Sequence, residues 1–301
     1  MLIDWASLAI LSAALLGVVH VVDSHLITRR MPSLRAYMLP VGLAVLVFGL
    51  VVIYLFPLPR GLAAGALFAA IFSGILRTTS LGIVFHALKT EEVSRVIPVV
   101  HTYPVFVAMM AVPLLGEALH YLEWMAIVIV VAGVVMVSVR LSPGNSVPWF
   151  SKKILLLVGS SLFMATADVA SKYSLGYLSF WNMFAINNFC LASVFLLISL
   201  RPCVLRELAN ISQGKAVAFV IFNEILAAVG MILVFRAMQL GPVSLVSTIV
   251  SSRPIFVFIY ALALSRISPA FLLGHADRRT QVMRLIGIMM IFSGITIIYL
   301  S

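Results

Sequence analysis

Ten uninterrupted apolar stretches, each long enough to cross a bilayer, leave this chain little freedom in how it folds. They run over residues 5–27, 36–56, 61–88, 93–115, 121–139, 152–176, 180–200, 216–240, 242–265 and 283–300. A helix needs about 20 apolar residues to traverse roughly 30 Å of hydrocarbon. In lipid every backbone N–H and C=O must be satisfied within the protein, which selects helices over open strands. Only 10% of the 301 residues are charged, against about a quarter in soluble domains. We therefore read an all-α integral membrane protein with ten transmembrane helices, spans 1 to 10, and little chain left for a soluble domain. The first stretch has no basic residue ahead of it and is too long for a signal-peptide core, so it counts as a span.

The second constraint is a repeat. Residues 84–107, VFHALKTEEVSRVIPVVHTYPVFV, return ungapped 150 positions later as VFRAMQLGPVSLVSTIVSSRPIFV, residues 234–257, with 10 of 24 positions identical. Pro104 aligns with Pro254, Ser94 with Ser244 and Phe85 with Phe235. A self-similarity at fixed offset marks an architecture built from duplicated units. The expected division is residues 1–141 and 142–301, five helices each.

The net charge of +10 does not point to nucleic acid, because the basic residues sit in connections that flank the membrane. The side holding both termini has Arg60, Lys172 and Arg236. The opposite side, with the odd-to-even connections, has Arg29, Arg30, Arg35, Lys89, Arg95, Arg140, Lys152, Lys153, Arg201, Arg206, Lys215, Arg266, Arg278, Arg279 and Arg284. That is 3 against 15, and basic short loops stay in the cytoplasm. The expectation is a multi-pass protein of the plasma (inner) membrane with both termini outside the cytoplasm.

Several local features carry expectations of their own. Span 1 ends with His20, Asp23 and His25, either an interfacial polar cluster or an incomplete metal site. With no fourth ligand at helical spacing, no metal is expected. Span 3 opens with Gly61 and Gly65, a spacing suited to close helix contact. Span 4 contains Pro98, Pro104 and Pro113, so its hydrogen-bond ladder must break where neighbours or water satisfy the freed carbonyls. His101, between two of these prolines, either touches a substrate or proton, or bonds such a carbonyl. Ala126 and Gly133 in span 5, and Gly287 and Gly294 in span 10, lie seven apart on one face and suit close packing within the chain or between chains. The connection from span 9 to span 10, with Arg266, His275, Asp277, Arg278 and Arg279, reads as a loop held against anionic lipid. Cys190 and Cys203 have neither metal nor disulfide spacing.

These stretches resemble a known family. The "HAL" and "RAM" at the ends of spans 3 and 8, the following "SRVIPVVHTYPVF" and "SLVSTIVSSRPIF", the "LLGEAL" turn and the glycine-bearing fifth helix look like the EamA-type repeat of the drug/metabolite transporter superfamily. SLFMATADVASKYSL in span 6 is similar to the repeat's opening helix, with Lys172 as its lysine. The resemblance implies two inverted five-helix EamA-type repeats, a cavity lined by spans 1, 3, 4, 6, 8 and 9, and export or exchange of small metabolites such as amino acids. Three departures stand out. Tyr103 and Arg253 replace the acidic residue usual before the proline. The second copy shows Leu264, Ser265 and Arg266 in place of the Gly-Glu turn. The family implies cytoplasmic termini, where the charge asymmetry places them outside.

Arg77, Asp168, Glu224 and Arg253 lie well inside their spans. Each charge at a helix centre costs about 2.5–3.5 kcal/mol, so four facing lipid would cost on the order of 10–14 kcal/mol. They must face one another or water. Arg77 aligns with Ala227, one turn from Glu224, which suggests an Arg77–Glu224 pair between spans 3 and 8, and an Arg253–Asp168 pair between spans 9 and 6. These pairs either brace the bundle or form a midplane site offering both signs of charge, the usual place of substrate in inverted-repeat carriers. The candidate substrate-binding residues are Arg77, Glu224, Arg253, Asp168, His101, Asn187, Tyr103 and Ser251, with Glu224 and Asp168 as proton-coupling candidates. No HExxH, GxSxG or phosphate-binding loop is present, so the chain reads as a carrier, not an enzyme, with no cofactor. Its expected partners are a small molecule and the lipid bilayer, with no nucleic acid, and the chain is a monomer or homodimer. The alternatives are a flippase for a lipid-linked sugar and a non-transporting scaffold.

Overall fold

The computed structural model describes residues 4–90, 93–138, 152–209, 214–265 and 278–301, and every regular element among them is helical. The elements are α1 (Trp5–His25, continued by a π turn, Leu26–Arg30), α2 (Leu34–Leu55), α3 (Ala64–Thr90), α4 (Val93–Val100), α5 (Tyr103–Leu115) and α6 (Tyr121–Ser138). The second half supplies α7 (Lys152–Leu175), α8 (Phe180–Ser199), α9 (Pro202–Ala209), α10 (Gly214–Leu240), α11 (Val243–Ser251), α12 (Arg253–Ser265) and α13 (Arg278–Leu300). Among the described residues 10 helical spans are long and apolar enough to cross a membrane, and they coincide with the ten stretches. Large apolar side chains such as Val47, Leu50, Phe68 and Met289 stand exposed on the outer surface, the pattern of a protein whose solvent there is lipid. The boundary between the proposed halves and the connection from α12 to α13 lie outside the described residues.

Spans 4 and 9 are each two helices, and they break in the same place. α4 gives way to α5 at His101 and Thr102, and α11 gives way to α12 at Ser252, so α5 and α12 begin 150 residues apart. Proline is the cause. Pro104 has no N–H to offer the Val100 carbonyl four residues back. The freed acceptor is met from outside the helix: Ser161 Oγ on α7 donates to Val100 O at 3.2 Å and Val99 O at 2.8 Å. Other ends are capped locally. Ser33 accepts from the Ala36 N–H and Ser179 from the Asn182 N–H. Asp4, ahead of α1, accepts from the Ser7 N–H at 2.7 Å, which holds its carboxyl below the usual carboxylate value.

The packing follows the duplication. α3 packs on α7 as α1 packs on α10, α5 on α7 as α1 on α12, and α3 on α8 as α10 on α2; α2 pairs with α8, and α6 with α13. Exchanging the halves converts each of these pairs into another or into itself, which is consistent with a two-fold repeat. The small residues of α6 and α13 meet within the chain. A Cβ on Gly133 would sit 2.7 Å from the Gly287 carbonyl oxygen, and one on Gly294 would sit 2.5 Å from Val130 Cγ2. Gly133→Leu is therefore expected to force the two helices apart and lower stability by about 1–3 kcal/mol or more, read as a lower unfolding midpoint in detergent. An unchanged midpoint would show that this seam is not close-packed.

Two sequence expectations need correction. Gly61 is not on a helix face: it turns the chain ahead of α3 with φ +78°, and Gly65 has only the Tyr173 hydroxyl near it. Small residues at that spacing therefore make no close helix contact here. The connection after α8 also contains a helix the apolar stretches did not signal, α9. It is short and amphipathic, with Val204 buried against Ala36 and Leu39 of α2.

Candidate functional site

Three of the four charged residues of the span interiors, Arg77, Asp168 and Arg253, come together where the broken helices approach α3 and α7. Asp168 on α7 is at the centre. Its Oδ1 accepts from Arg77 Nη2 of α3 at 2.8 Å, and its Oδ2 accepts from Ser247 Oγ of α11 at 2.6 Å. Arg77 is further held by Ser171 Oγ at 3.4 Å and lies 5.5 Å over the Phe235 ring of α10. Tyr103, the first residue of α5, donates its hydroxyl to the Ser247 carbonyl at 3.1 Å. A buried carboxylate needs its charge and its oxygens answered, and one arginine with one serine hydroxyl supplies a counter-charge and a donor to each oxygen here. The ion pair expected between Arg77 and Glu224 is thus formed by Arg77 and Asp168, and Arg253 does not bond Asp168.

The reason lies in the packing. Equivalent positions of α3 and α10 face different neighbours, because α3 lies against α7 whereas α10 lies against α1. Arg77 therefore looks toward Asp168. Glu224, buried at 7% exposure, looks toward Asp23 of α1 and Tyr37 of α2. There Asp23 Oδ1 accepts from Tyr37 Oη at 2.5 Å and from Asn223 Nδ2 at 2.6 Å. This second polar centre was not assembled from sequence. Asp23 had been noted only beside His20 and His25, and no group of three metal-ligating side chains occurs among the described residues.

Arg253 opens α12 directly after the second break. Its electrostatic neighbours are Tyr103, Arg77 and Asp168, yet no carboxylate among the described residues pairs with it, and its Nε has no hydrogen-bond partner. Two histidines face it, His101 from the first break and His20 from α1. His101 is buried and its ring meets the Ser251 backbone at the second break, which matches the reading in which it bonds a carbonyl near a proline. His20 behaves differently. It continues the inward stripe of α1, following buried Ala9, Ser12, Ala13, Leu16 and Gly17 at helical spacing, but its own side chain is exposed. A side chain on the inner stripe that exposes surface while facing buried His101 borders an opening between the helices.

Of the remaining candidates, Ser251 lies at the second break beside His101 and Asn187 lies apart on α8. Ser251 is buried and donates to the Thr248 carbonyl at 2.7 Å. Asn187 on α8 donates to Met183 O at 3.1 Å, beside Gly74 of α3, where a Cβ would crowd Cys190 and the Asn187 backbone.

The two ends of the bundle differ. At the end with the turns before α6 and α11, α5 packs on α11. Gly116 ends α5 in the left-handed region, φ +69°, and so turns Glu117 across to the start of α11. There the Glu117 carboxylate accepts from the Val243 and Ser244 N–H groups and from Ser244 Oγ, at 2.5, 3.2 and 2.6 Å. A carboxylate at a helix N-terminus is favoured by the helix dipole and the unpaired N–H groups. Beside it, Lys172 Nζ donates to the Met238 and Gly241 carbonyls at the end of α10, at 2.7 and 2.8 Å. At the other end α4 and α12, the symmetry counterparts of α11 and α5, make no comparable packing among the described residues. The LLGEAL turn signalled Glu117, but not its target.

The EamA-like transporter family model matches residues 4–139, from the start of α1 through α6. Among curated proteins none matches. Solved structures match in 28 chains. One of them, a crystal structure described only as that of a protein, is 16% identical with a TM-score of 0.72, covering 98% of this chain and 95% of that one. At that identity the likeness concerns the fold alone. Ten helical spans among the described residues, and over residues 4–139 the likeness to the EamA-like transporter family, mark this chain as a multi-pass membrane protein similar to that family.

Proposed function

We propose that the chain is a secondary transporter, an exporter or exchanger of a small polar or zwitterionic metabolite such as an amino acid, working by alternating access. The observation that carries this reading is Arg253. It is a guanidinium deep in the bundle with no carboxylate of its own among the described residues, beside a histidine that borders an opening. An uncompensated charge in the membrane is costly, and a brace would have been built as a pair, as Arg77 and Asp168 are. Arg253 is left to receive the carboxylate or other anionic group of a solute.

The difference between the two ends supports the alternation. The Glu117 end is sealed, and the end where α4 and α12 stand apart is the side of the 15 basic residues, hence cytoplasmic under the positive-inside rule. Interchanging the conformations of the two halves would seal the cytoplasmic end and open the other. Bending falls at the two proline breaks. Asp168 and Ser247 fix Arg77 at the edge of the site, and Glu224 remains the candidate coupling carboxylate.

The test is counterflow of radiolabelled amino acids in proteoliposomes. Wild-type protein should show saturable flux. Arg253→Gln should raise KM about 10–100-fold, the worth of one hydrogen-bonded charge, at unchanged expression and unfolding midpoint. A scaffold would give no flux in either protein, and equal flux in both would remove Arg253 from the site.

A further inference from the structure

We propose that Asp23, Asn223 and Glu224 form a binding site for a small monovalent cation, sodium, at the contact of α1, α2 and α10. A buried carboxylate, Glu224, and a half-buried one, Asp23, stand together here without a cationic partner: Asp23 is the charged neighbour of Glu224, and no ion pair reaches either one among the described residues. Acid groups alone would not indicate a ligand. The second observation is Asn223, 1% exposed, whose Nδ2 is committed to Asp23 while its Oδ1 has no hydrogen-bond partner. A buried amide oxygen left without a donor costs the free energy of its lost hydration. Beside two acids, a bound cation is the partner that would answer it.

The oxygen inventory is that of a hard-cation site. Both hydrogen bonds given to Asp23, from Tyr37 and Asn223, fall on Oδ1. Among the described residues no side-chain hydrogen bond is made to Asp23 Oδ2 or to either Glu224 oxygen. With Asn223 Oδ1 these are four oxygens and no nitrogen or sulfur ligand, the donor type of hard cations. No group of three His, Cys, Asp or Glu lies among the described residues, which disfavours transition metals. α1 passes into the π turn Leu26–Arg30 three residues after Asp23, a local rewinding that often accompanies functional sites. Coordination of ions by carbonyls of irregular helical backbone is a known solution in carriers. The remaining polar neighbour, Tyr37, is 3% exposed and fixes Asp23 as a donor.

Asp23 lies one helical turn beyond His20, so the cation would bind next to the opening on which the transport reading depends. Only its role as a coupling ion rests on that reading, and binding itself does not. The experiment is thermal unfolding of purified full-length protein, without substrate, in sodium chloride against choline chloride at equal ionic strength and fixed pH. Wild type should gain about 3 °C or more in sodium at saturation, and Asp23→Asn and Glu224→Gln should each lose that gain. Should either variant fail to fold, Asn223→Ala serves as the third, with apparent sodium affinity reduced at least tenfold. Equal midpoints in sodium and choline for wild type would overturn the proposal. So would a gain retained in the variants, or stabilisation by magnesium or by lowered pH in place of sodium. Sodium binding without solute flux in liposomes would retain the site and reject the transporter.

Discussion

Asp168→Ala should be the most damaging single substitution in this bundle. It leaves Arg77 buried with no counter-charge and Ser247 without its acceptor. Breaking a buried pair from one side costs about 3–5 kcal/mol, whereas replacing both partners by apolar groups of similar volume is often neutral. Arg77→Met with Asp168→Leu should therefore recover most of the lost stability, since Arg77 already lies against Phe235 and Met164. Transport should not recover in the double variant, because the wall facing Arg253 would have lost its polar groups. Unfolding midpoints of the single and double variants decide the point. If Asp168→Ala unfolds at the wild-type temperature, the pair does not hold α3, α7 and α11 together.

The second large effect is expected at Glu117. Its carboxylate makes three hydrogen bonds across to the start of α11, and nothing equivalent is described at the opposite end. A charged acceptor at a helix N-terminus is worth about 0.3–2 kcal/mol through the dipole, and hydrogen bonds to charged groups about 1.5–3 kcal/mol. Glu117→Ala should shift the balance between sealed and open forms of this end by about 10–100-fold. Spin labels at Ala118→Cys and Leu240→Cys, in protein lacking Cys190 and Cys203, would read the change as a new longer-distance population. An unaltered distance distribution would show that Glu117 caps α11 without holding the end shut.

The spans were legible because lipid enforces one rule everywhere, that apolar length equals helix. The helix breaks were legible for a similarly local reason: a proline four residues after a carbonyl removes its donor, and the 150-residue offset repeated the signal. Partners across the bundle were not legible. Arg77 and Glu224 occupy nearly equivalent positions of equivalent helices, which suggested that they face each other. Which flank a helix turns to its neighbour depends on packing, and packing gave Arg77 to α7 and Glu224 to α1. The Asp23 centre was missed because its members lie 200 residues apart on helices that no local pattern connects. His20 read from sequence only as part of an interfacial cluster or incomplete metal site, because its place on the inner stripe depends on the burial of its neighbours along α1.

Water between the halves, at the depth of His20, is what distinguishes this account from a solid helical bundle. In protein lacking Cys190 and Cys203, His20→Cys should react with a membrane-impermeant methanethiosulfonate applied from the cytoplasmic side, since thiolates form and react only where water reaches them. Met289→Cys, midway along α13 and 66% exposed toward lipid, should not react. If the cysteine at position 20 is as inert as the one at position 289, there is no wet opening beside Arg253 and the account fails.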